Sequence, residues 1–230
     1  MNMALIAGVD EAGKGSVIGH MCVGGVMTSD EKIIERLGLR DSKKLTPKQR
    51  QKLAIKIEKD ADKVFVLTVS ANQIDELRRV MTMNKILVLC AAKVLEELKP
   101  DIAYLDAPDV KPQRFADHVT EKYRHKTQII SEHRADENYP IVATASIIAK
   151  VRRDKLIEEL KEKTGYEIGS GYPADPKTKK FMQEWIHTHD TYPSFVRKSW
   201  KTTKRLLQEK KAKPAKSFNS TESLSRWSED

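Results

Sequence analysis

The sequence predicts an α/β fold, a mixed five-stranded sheet flanked by helices, with a helical C-terminal extension. Three observations carry this. Short apolar runs of strand length stand at residues 3–10 and 21–28, with a glycine-rich stretch between them. Strand and helix signals then alternate as far as residue 163, a pattern that packs helices on the faces of a sheet. Beyond it, residues 177–209 carry helical signals with no further strand.

Residues 3–10 read as a buried strand closed by Asp10. Gly13, Gly15 and Gly19 follow, and 21–28 return as a second strand, so the pair forms an antiparallel hairpin with a wide, polar connection. Thr46-Pro47 is a good cap and first-turn pair for a Lys/Glu-rich helix, which leads to a third strand at 64–69. Ile86, Leu87, Leu89, Cys90 and Val94 give residues 84–98 a helical period, and Pro100 stops that helix. A fourth strand at 102–106, a helix near 111–123 and a fifth strand around 128–130 come next. From 142 to about 163, Ile147, Ile148, Val151, Leu156, Ile157 and Leu160 mark one face of a long helix. The expected division is a main domain over 1–175, a helical extension over 176–209 interrupted near Tyr192-Pro193, and a flexible tail over 210–230. That tail has too little apolar area to offset its ordering entropy.

The 230 residues include 42 Lys+Arg against 33 Asp+Glu, a net charge of +9 that raises the prior for a polyanionic partner. No run of eighteen apolar residues exists, so no transmembrane helix is expected. Met1 to Ala7 lacks the basic leader and cleavage site of a signal peptide, and Cys22 and Cys90 read as buried free thiols of a reducing compartment. A cytoplasmic monomer is the expectation.

Asp10 and Glu11 end the first strand and Asp106 ends the fourth. Burying an unpaired carboxylate costs several kcal/mol, whereas acids at neighbouring strand ends can share a divalent cation through oxygen ligands. Asp136 reaches the same edge if the fifth strand runs parallel to the fourth, and four such acids can hold two Mg²⁺ or Mn²⁺ ions. The alternative stays open, since an Asp that closes a strand is often a turn or helix cap. Consecutive Asp10 and Glu11 point to opposite faces of a regular strand, so serving one site requires the pleat to break at Gly13 or before.

Gly8-Val9-Asp10-Glu11-Ala12-Gly13-Lys14-Gly15-Ser16-Val17-Ile18-Gly19 closely resembles the opening motif of ribonuclease HII. Further blocks agree in order: Arg40-Asp41-Ser42-Lys43-Lys44-Leu45, then Tyr104-Leu105-Asp106, then Arg134-Ala135-Asp136 with 145–154. Gly169-Ser170-Gly171-Tyr172-Pro173 and Arg197-Lys198-Ser199-Trp200-Lys201 complete the set, which spans residues 4–205 and is worded like the archaeal and eukaryotic branch. The resemblance implies the ribonuclease H-like fold and hydrolysis on the 5′ side of ribonucleotides in RNA/DNA hybrids or embedded in duplex DNA. It implies Asp10, Glu11, Asp106 and Asp136 as metal-binding catalytic carboxylates and two Mg²⁺ or Mn²⁺ ions as cofactors. The products carry a 3′-hydroxyl and a 5′-phosphate, and replication and ribonucleotide excision repair are the family's settings.

Substrate binding falls by resemblance on Gly13, Lys14, Gly15 and Tyr172, which read the ribose 2′-hydroxyl, and on Ser42, Lys43, Lys44, Ser146 and Lys150. Lys14 departs from the family's usual arginine, so a bidentate phosphate contact is lost there while backbone recognition survives. His20 stands where proline is common and reads as a loop variation. Trp200 reads as a packing anchor, with Arg197, Lys198, Lys201 and Lys204 forming a basic helical face toward the duplex. A non-catalytic hybrid-binding module would lack at least one of the four carboxylates. Ribonuclease HIII would need an additional N-terminal domain, for which the first strand leaves no room. Residues 221–227 have the apolar–aromatic spacing of a degenerate sliding-clamp peptide, without its usual glutamine.

Overall fold

The structure, a computed structural model, describes residues 4–30, 32, 34, 36–38 and 45–212. Strands β1 (Ile6–Ala12) and β2 (Met21–Thr28) form the expected hairpin, paired from Ile6–Thr28 through Ala12–Cys22. β3 (Lys63–Val69) adds antiparallel to β2. On the other side of β1, β4 (Ile102–Asp106) and β5 (Gln128–Glu132) add in parallel, giving the order β3-β2-β1-β4-β5. β1 is therefore central, and its C-terminal end opens on the same sheet edge as the end of β4.

Helix α1 (Pro47–Asp60) begins at a Thr46 capping box, as Thr46-Pro47 predicts. Two short helices were not foreseen: α2 (Ala71–Leu77), capped by Ser70, and α5 (Ala135–Asn138). α3 (Met83–Leu98) and α4 (Pro112–Lys122) cover one face of the sheet, burying Ile86, Val94, Leu95, Phe115 and Val119 against Ala7, Val9 and Leu105. α6 (Pro140–Thr164) covers the other with α1 outside it. α6 differs from the single apolar face expected: Ile141 to Ala149 are buried all round, and only the later half shows sidedness. The cause is its place between β1, β2 and α1. Gly24 lets this helix approach, because a Cβ there would sit 2.6 Å from the Ala145 carbonyl oxygen.

The extension forms α7 (Pro176–Thr188) and α8 (Lys201–Ala212), with residues 189–200 non-helical between them, a longer interruption than Tyr192-Pro193 suggested. Phe181, Met182, Ile186, Tyr192 and Val196 build a third apolar cluster with Val17 and Ile18 of the β1–β2 connection. The extension thus packs directly on the glycine-rich loop. Ser42, Lys43, Lys44 and the tail segment 221–227 lie outside the described residues. Among the described residues no helix is long and apolar enough to cross a membrane.

Candidate active site

Three carboxylates meet where β1 outruns β4. The last β1–β4 pair is Val9–Leu105, so Asp10 of β1 and Asp106 of β4 stand side by side at the open end. Ligand oxygens of Asp10, Glu11 and Asp106 all lie within 4.8 Å of one another. The pleat does not break to achieve this, contrary to the expectation: β1 stays paired with β2 through Ala12. Asp10 shares the face that packs on α6, while Glu11 shares the Val9 face and borders a small cavity with Leu87, Ala91 and Phe115. Their side chains converge round the strand edge that β4 leaves uncovered.

The Asp106 Oδ1 atom accepts a 2.9 Å hydrogen bond from the Ala135 amide at the start of α5, which fixes its rotamer. Asp136, the next residue, is half-buried and lies outside the group of three whose oxygens converge. The parallel β5 does bring α5 to the Asp106 edge, as anticipated.

Asp10 is 8% exposed. Burial holds its carboxyl well above the usual range, and the neighbouring Glu11 and Asp106 charges push it further up. Ser146 and the Glu11 amide, which donates to Asp10 Oδ1 at 2.7 Å, oppose that rise. The buried Ser146 hydroxyl, close enough to act on Asp10, makes no hydrogen bond of normal geometry among the described residues. Burial likewise raises Glu11, which the Lys14 ammonium 3.3 Å from Oε1 partly offsets. Crowded, desolvated carboxylates with hard oxygen donors fit a divalent cation such as Mg²⁺ or Mn²⁺.

The glycine loop leaves β1 directly. Gly13 has φ +85°, a left-handed conformation that favours glycine. Its carbonyl accepts the Ser16 hydroxyl at 2.9 Å, and its amide donates to the Tyr172 hydroxyl at 3.1 Å. Among the described residues, a Cβ at Gly15 would meet nothing within 4 Å, and the exposed backbone there lies open to a ligand. Tyr172 is 36% exposed beside this loop.

A family model described as Ribonuclease HII matches residues 7–203 of this chain. The chain belongs to the ribonuclease HII family. It is accordingly a metal-dependent hydrolase with ribonuclease H endonuclease activity. The ribonuclease HII of Methanosarcina barkeri is 54% identical over 217 residues, covering 90% of this chain and 97% of that protein. The solved ribonuclease H2 of Pyrococcus horikoshii is 42% identical with a TM-score of 0.84, over 91% of this chain and 100% of that one. A ribonuclease HII solved in complex with PCNA from Archaeoglobus fulgidus is 48% identical with a TM-score of 0.81, over 86% of this chain and 95% of that one. These structures share the mixed five-stranded sheet with flanking helices, the ribonuclease H-like fold.

The structure corrects one part of the ribonuclease HII block at 197–201. Arg197 does not belong to a basic face toward the duplex. It is fully buried ahead of α8, donating through Nε and Nη2 to the Gly19 carbonyl at 3.2 and 3.1 Å and through Nη1 to the Lys14 carbonyl at 2.9 Å. Its guanidinium lies 4.8 Å from the Trp200 ring centroid, and burial lowers its pKa to about 9. Trp200 is the packing anchor expected, set against two apolar clusters. Lys198, Lys201 and Lys204 are exposed. Lys150 is half-buried on α6, and Ser146 is fully buried one turn earlier. Sequence reasoning gave no role to Arg153, which lies under Tyr172 with its guanidinium carbon 4.4 Å from the ring centroid. Its signal is weak, one arginine within a basic helical stretch.

Proposed function

We propose that this chain is an endoribonuclease that hydrolyses the phosphodiester on the 5′ side of ribonucleotides, in RNA/DNA hybrids and in duplex DNA carrying embedded ribonucleotides. The products in this reading are a 3′-hydroxyl and a 5′-phosphate, with water as the nucleophile. Asp10, Glu11 and Asp106, joined by Asp136 from α5, hold two Mg²⁺ or Mn²⁺ ions. When bound, such a pair supplies Lewis-acid polarisation and charge stabilisation for the attacking and leaving oxygens. The chain's own part is placement. Asp106 is oriented by the Ala135 amide and Asp10 by the Glu11 amide, so the ligand oxygens are set before any ion arrives.

The observation that carries this reading is the single short segment 10–15. It supplies two of the converging acids and, two residues later, the Gly13 amide bonded to Tyr172. The cleavage chemistry and the group that distinguishes ribose from deoxyribose are thereby held at fixed separation. Gly13 and Gly15 present backbone to the 2′-hydroxyl, and the exposed Tyr172 ring packs on the ribose. Lys14, paired with Glu11, takes a phosphate as a point charge rather than a fork. Ser42, Lys43, Lys44 and Lys150 complete the proposed substrate contacts, whereas Ser146, fully buried beside Asp10, supports that carboxylate instead of touching substrate.

The test is cleavage of duplex DNA containing one ribonucleotide, with Mg²⁺ or Mn²⁺, by the wild type and by Asp106→Asn. Activity confined to the wild type, with cleavage mapped to the 5′ side of the ribonucleotide, is expected. Equal activity of the two, or none with any divalent ion, overturns the reading. The PCNA complex of the Archaeoglobus fulgidus relative supports a sliding clamp as partner, and residues 221–227 are the proposed contact. Clamp binding that survives removal of residues 218–230 would dispose of that contact.

A further inference from the structure

Arg153 projects from the middle of α6 and is 3% exposed. It touches both groups proposed to read the ribose. Its guanidinium carbon lies 4.4 Å from the Tyr172 ring centroid, and Nη2 donates to the Ser170 carbonyl at 2.5 Å. The glycine loop rests on the same side chain: a Cβ at Gly13 would sit 2.8 Å from Arg153 Nε and 2.9 Å from Cδ. The Gly13 amide donates to Tyr172 at 3.1 Å, closing a three-membered arrangement of loop, ring and guanidinium.

The guanidinium is itself braced. Asp154 Oδ1 lies 3.6 Å from Arg153 Nη1, and Asp154 Oδ2 accepts Arg50 Nη2 at 2.9 Å. Arg50 Nη1 then donates to the Leu45 carbonyl at 2.9 Å, tying α6 to the residues that lead into α1. Arg153 Nε, buried, finds no hydrogen-bond partner among the described residues. A buried donor left unsatisfied is costly, so the side chain's position is set by the stack, the brace and the Nη2 bond to the Ser170 carbonyl, which together offset the bare Nε. A planar guanidinium can cover one face of an aromatic ring and leave the other free, which a lysine ammonium cannot do with the same geometry.

We propose that Arg153, braced by Asp154 and Arg50, is a positioning residue for ribose recognition that fixes the Tyr172 ring and the Gly13 amide in one arrangement. The inference rests on the proposed ribose-reading role of Tyr172 and Gly13. Most of the affinity for a duplex comes from its phosphates. Loosening the ring therefore lowers kcat on a single embedded ribonucleotide while KM stays nearly constant. Arg153 acts through Tyr172, so its effect disappears when the ring is absent.

A double-mutant cycle tests this on duplex DNA with one ribonucleotide in Mg²⁺, using the full chain, Arg153→Lys, Tyr172→Ala and the pair. Arg153→Lys is expected to lower kcat by about 10- to 100-fold, the scale of an ångström-level misplacement. In the Tyr172→Ala background the same change should alter kcat by less than about twofold, the tolerance for independent sites. If Arg153→Lys does not fold, Asp154→Asn, at a side chain 40% exposed, replaces it in the same cycle with a smaller fall of about 3- to 10-fold. Wild-type kcat in either variant, or falls that simply multiply with that of Tyr172→Ala, overturns the inference alone. Absence of cleavage by the unmodified protein overturns the reading of the site and the inference with it.

Discussion

Replacing Asp10 by Asn should make the metal-free protein more stable while abolishing its activity. Oxygens of Asp10, Glu11 and Asp106 lie within 4.8 Å of one another, so each fully charged pair repels by about 3 kcal/mol at an effective dielectric of about 20. Asp10 takes part in two of those pairs. Because burial and its neighbours raise its pKa, the folded protein relieves some of this by keeping a proton. The net gain from the neutral isostere is then about 1–3 kcal/mol. Asparagine keeps an acceptor for the Glu11 amide, so that hydrogen bond is not lost. At about 2–4 °C per kcal/mol for a chain of this size, the melting temperature rises by roughly 2–12 °C. The sign with pH follows from the raised pKa. A carboxyl raised on folding contributes stability that is fully present below its ordinary 3.8 and lost as pH rises through the folded value. The variant's advantage in EDTA should therefore be small at about pH 4 and full at about pH 8, and Mg²⁺ should stabilise the wild type more than the variant. Thermal melts at the two pH values, with EDTA and with Mg²⁺, read all three quantities. A variant that melts at or below the wild type in EDTA at about pH 8 would refute the argument.

Tyr172→Phe removes the acceptor of the Gly13 amide, and cleavage at a single embedded ribonucleotide should fall about tenfold with little change in melting temperature. Equal rates on that substrate would count against the ribose-reading pair. Gly24→Ala places a Cβ 2.6 Å from the Ala145 carbonyl oxygen and should cost about 1–3 kcal/mol in denaturant unfolding; an unchanged midpoint would contradict the close approach of α6. Asp175 accepts hydrogen bonds from Ser170 and Lys177, and the Ser170 contacts hold its pKa down at about 2. Its stabilisation is present above the ordinary 3.8 and lost as pH falls toward 2, so melts of wild type and Asp175→Asn should differ at neutral pH and converge at about pH 2.

Much of the fold could be read from the chain because its strands are apolar runs bounded by glycine, proline or charge. All five strands are predicted, while the parallel direction of β5, only a condition in the sequence, is what the structure supplies. The misses have physical causes. α2 and α5 are too short to show a helical period, and each is fixed by a neighbour: Ser70 caps α2, and the first amide of α5 bonds Asp106. α6 departs from the one-sided pattern its sequence predicts because its first half is covered by sheet and helix alike, a tertiary circumstance that no local period encodes. The acids were legible as strand-end carboxylates, and their convergence was not.

Arg153 and Arg197 show where sequence reasoning stops. Each of these buried arginines donates to carbonyls distant in sequence, Ser170 in one case and Gly19 and Lys14 in the other. Residue type predicts a solvated surface charge at both positions, and only the packing of the extension on the loop overturns that. The two arginines hold the glycine loop from different sides, Arg197 through the carbonyls that flank it and Arg153 through Gly13 and Tyr172. Lys14 has its backbone carbonyl held by Arg197 and its ammonium on Glu11. A substitution at that side chain thus leaves the loop's backbone where Arg197 sets it. Its effect should appear in phosphate contact and in the charge of the acid cluster rather than in recognition of the sugar.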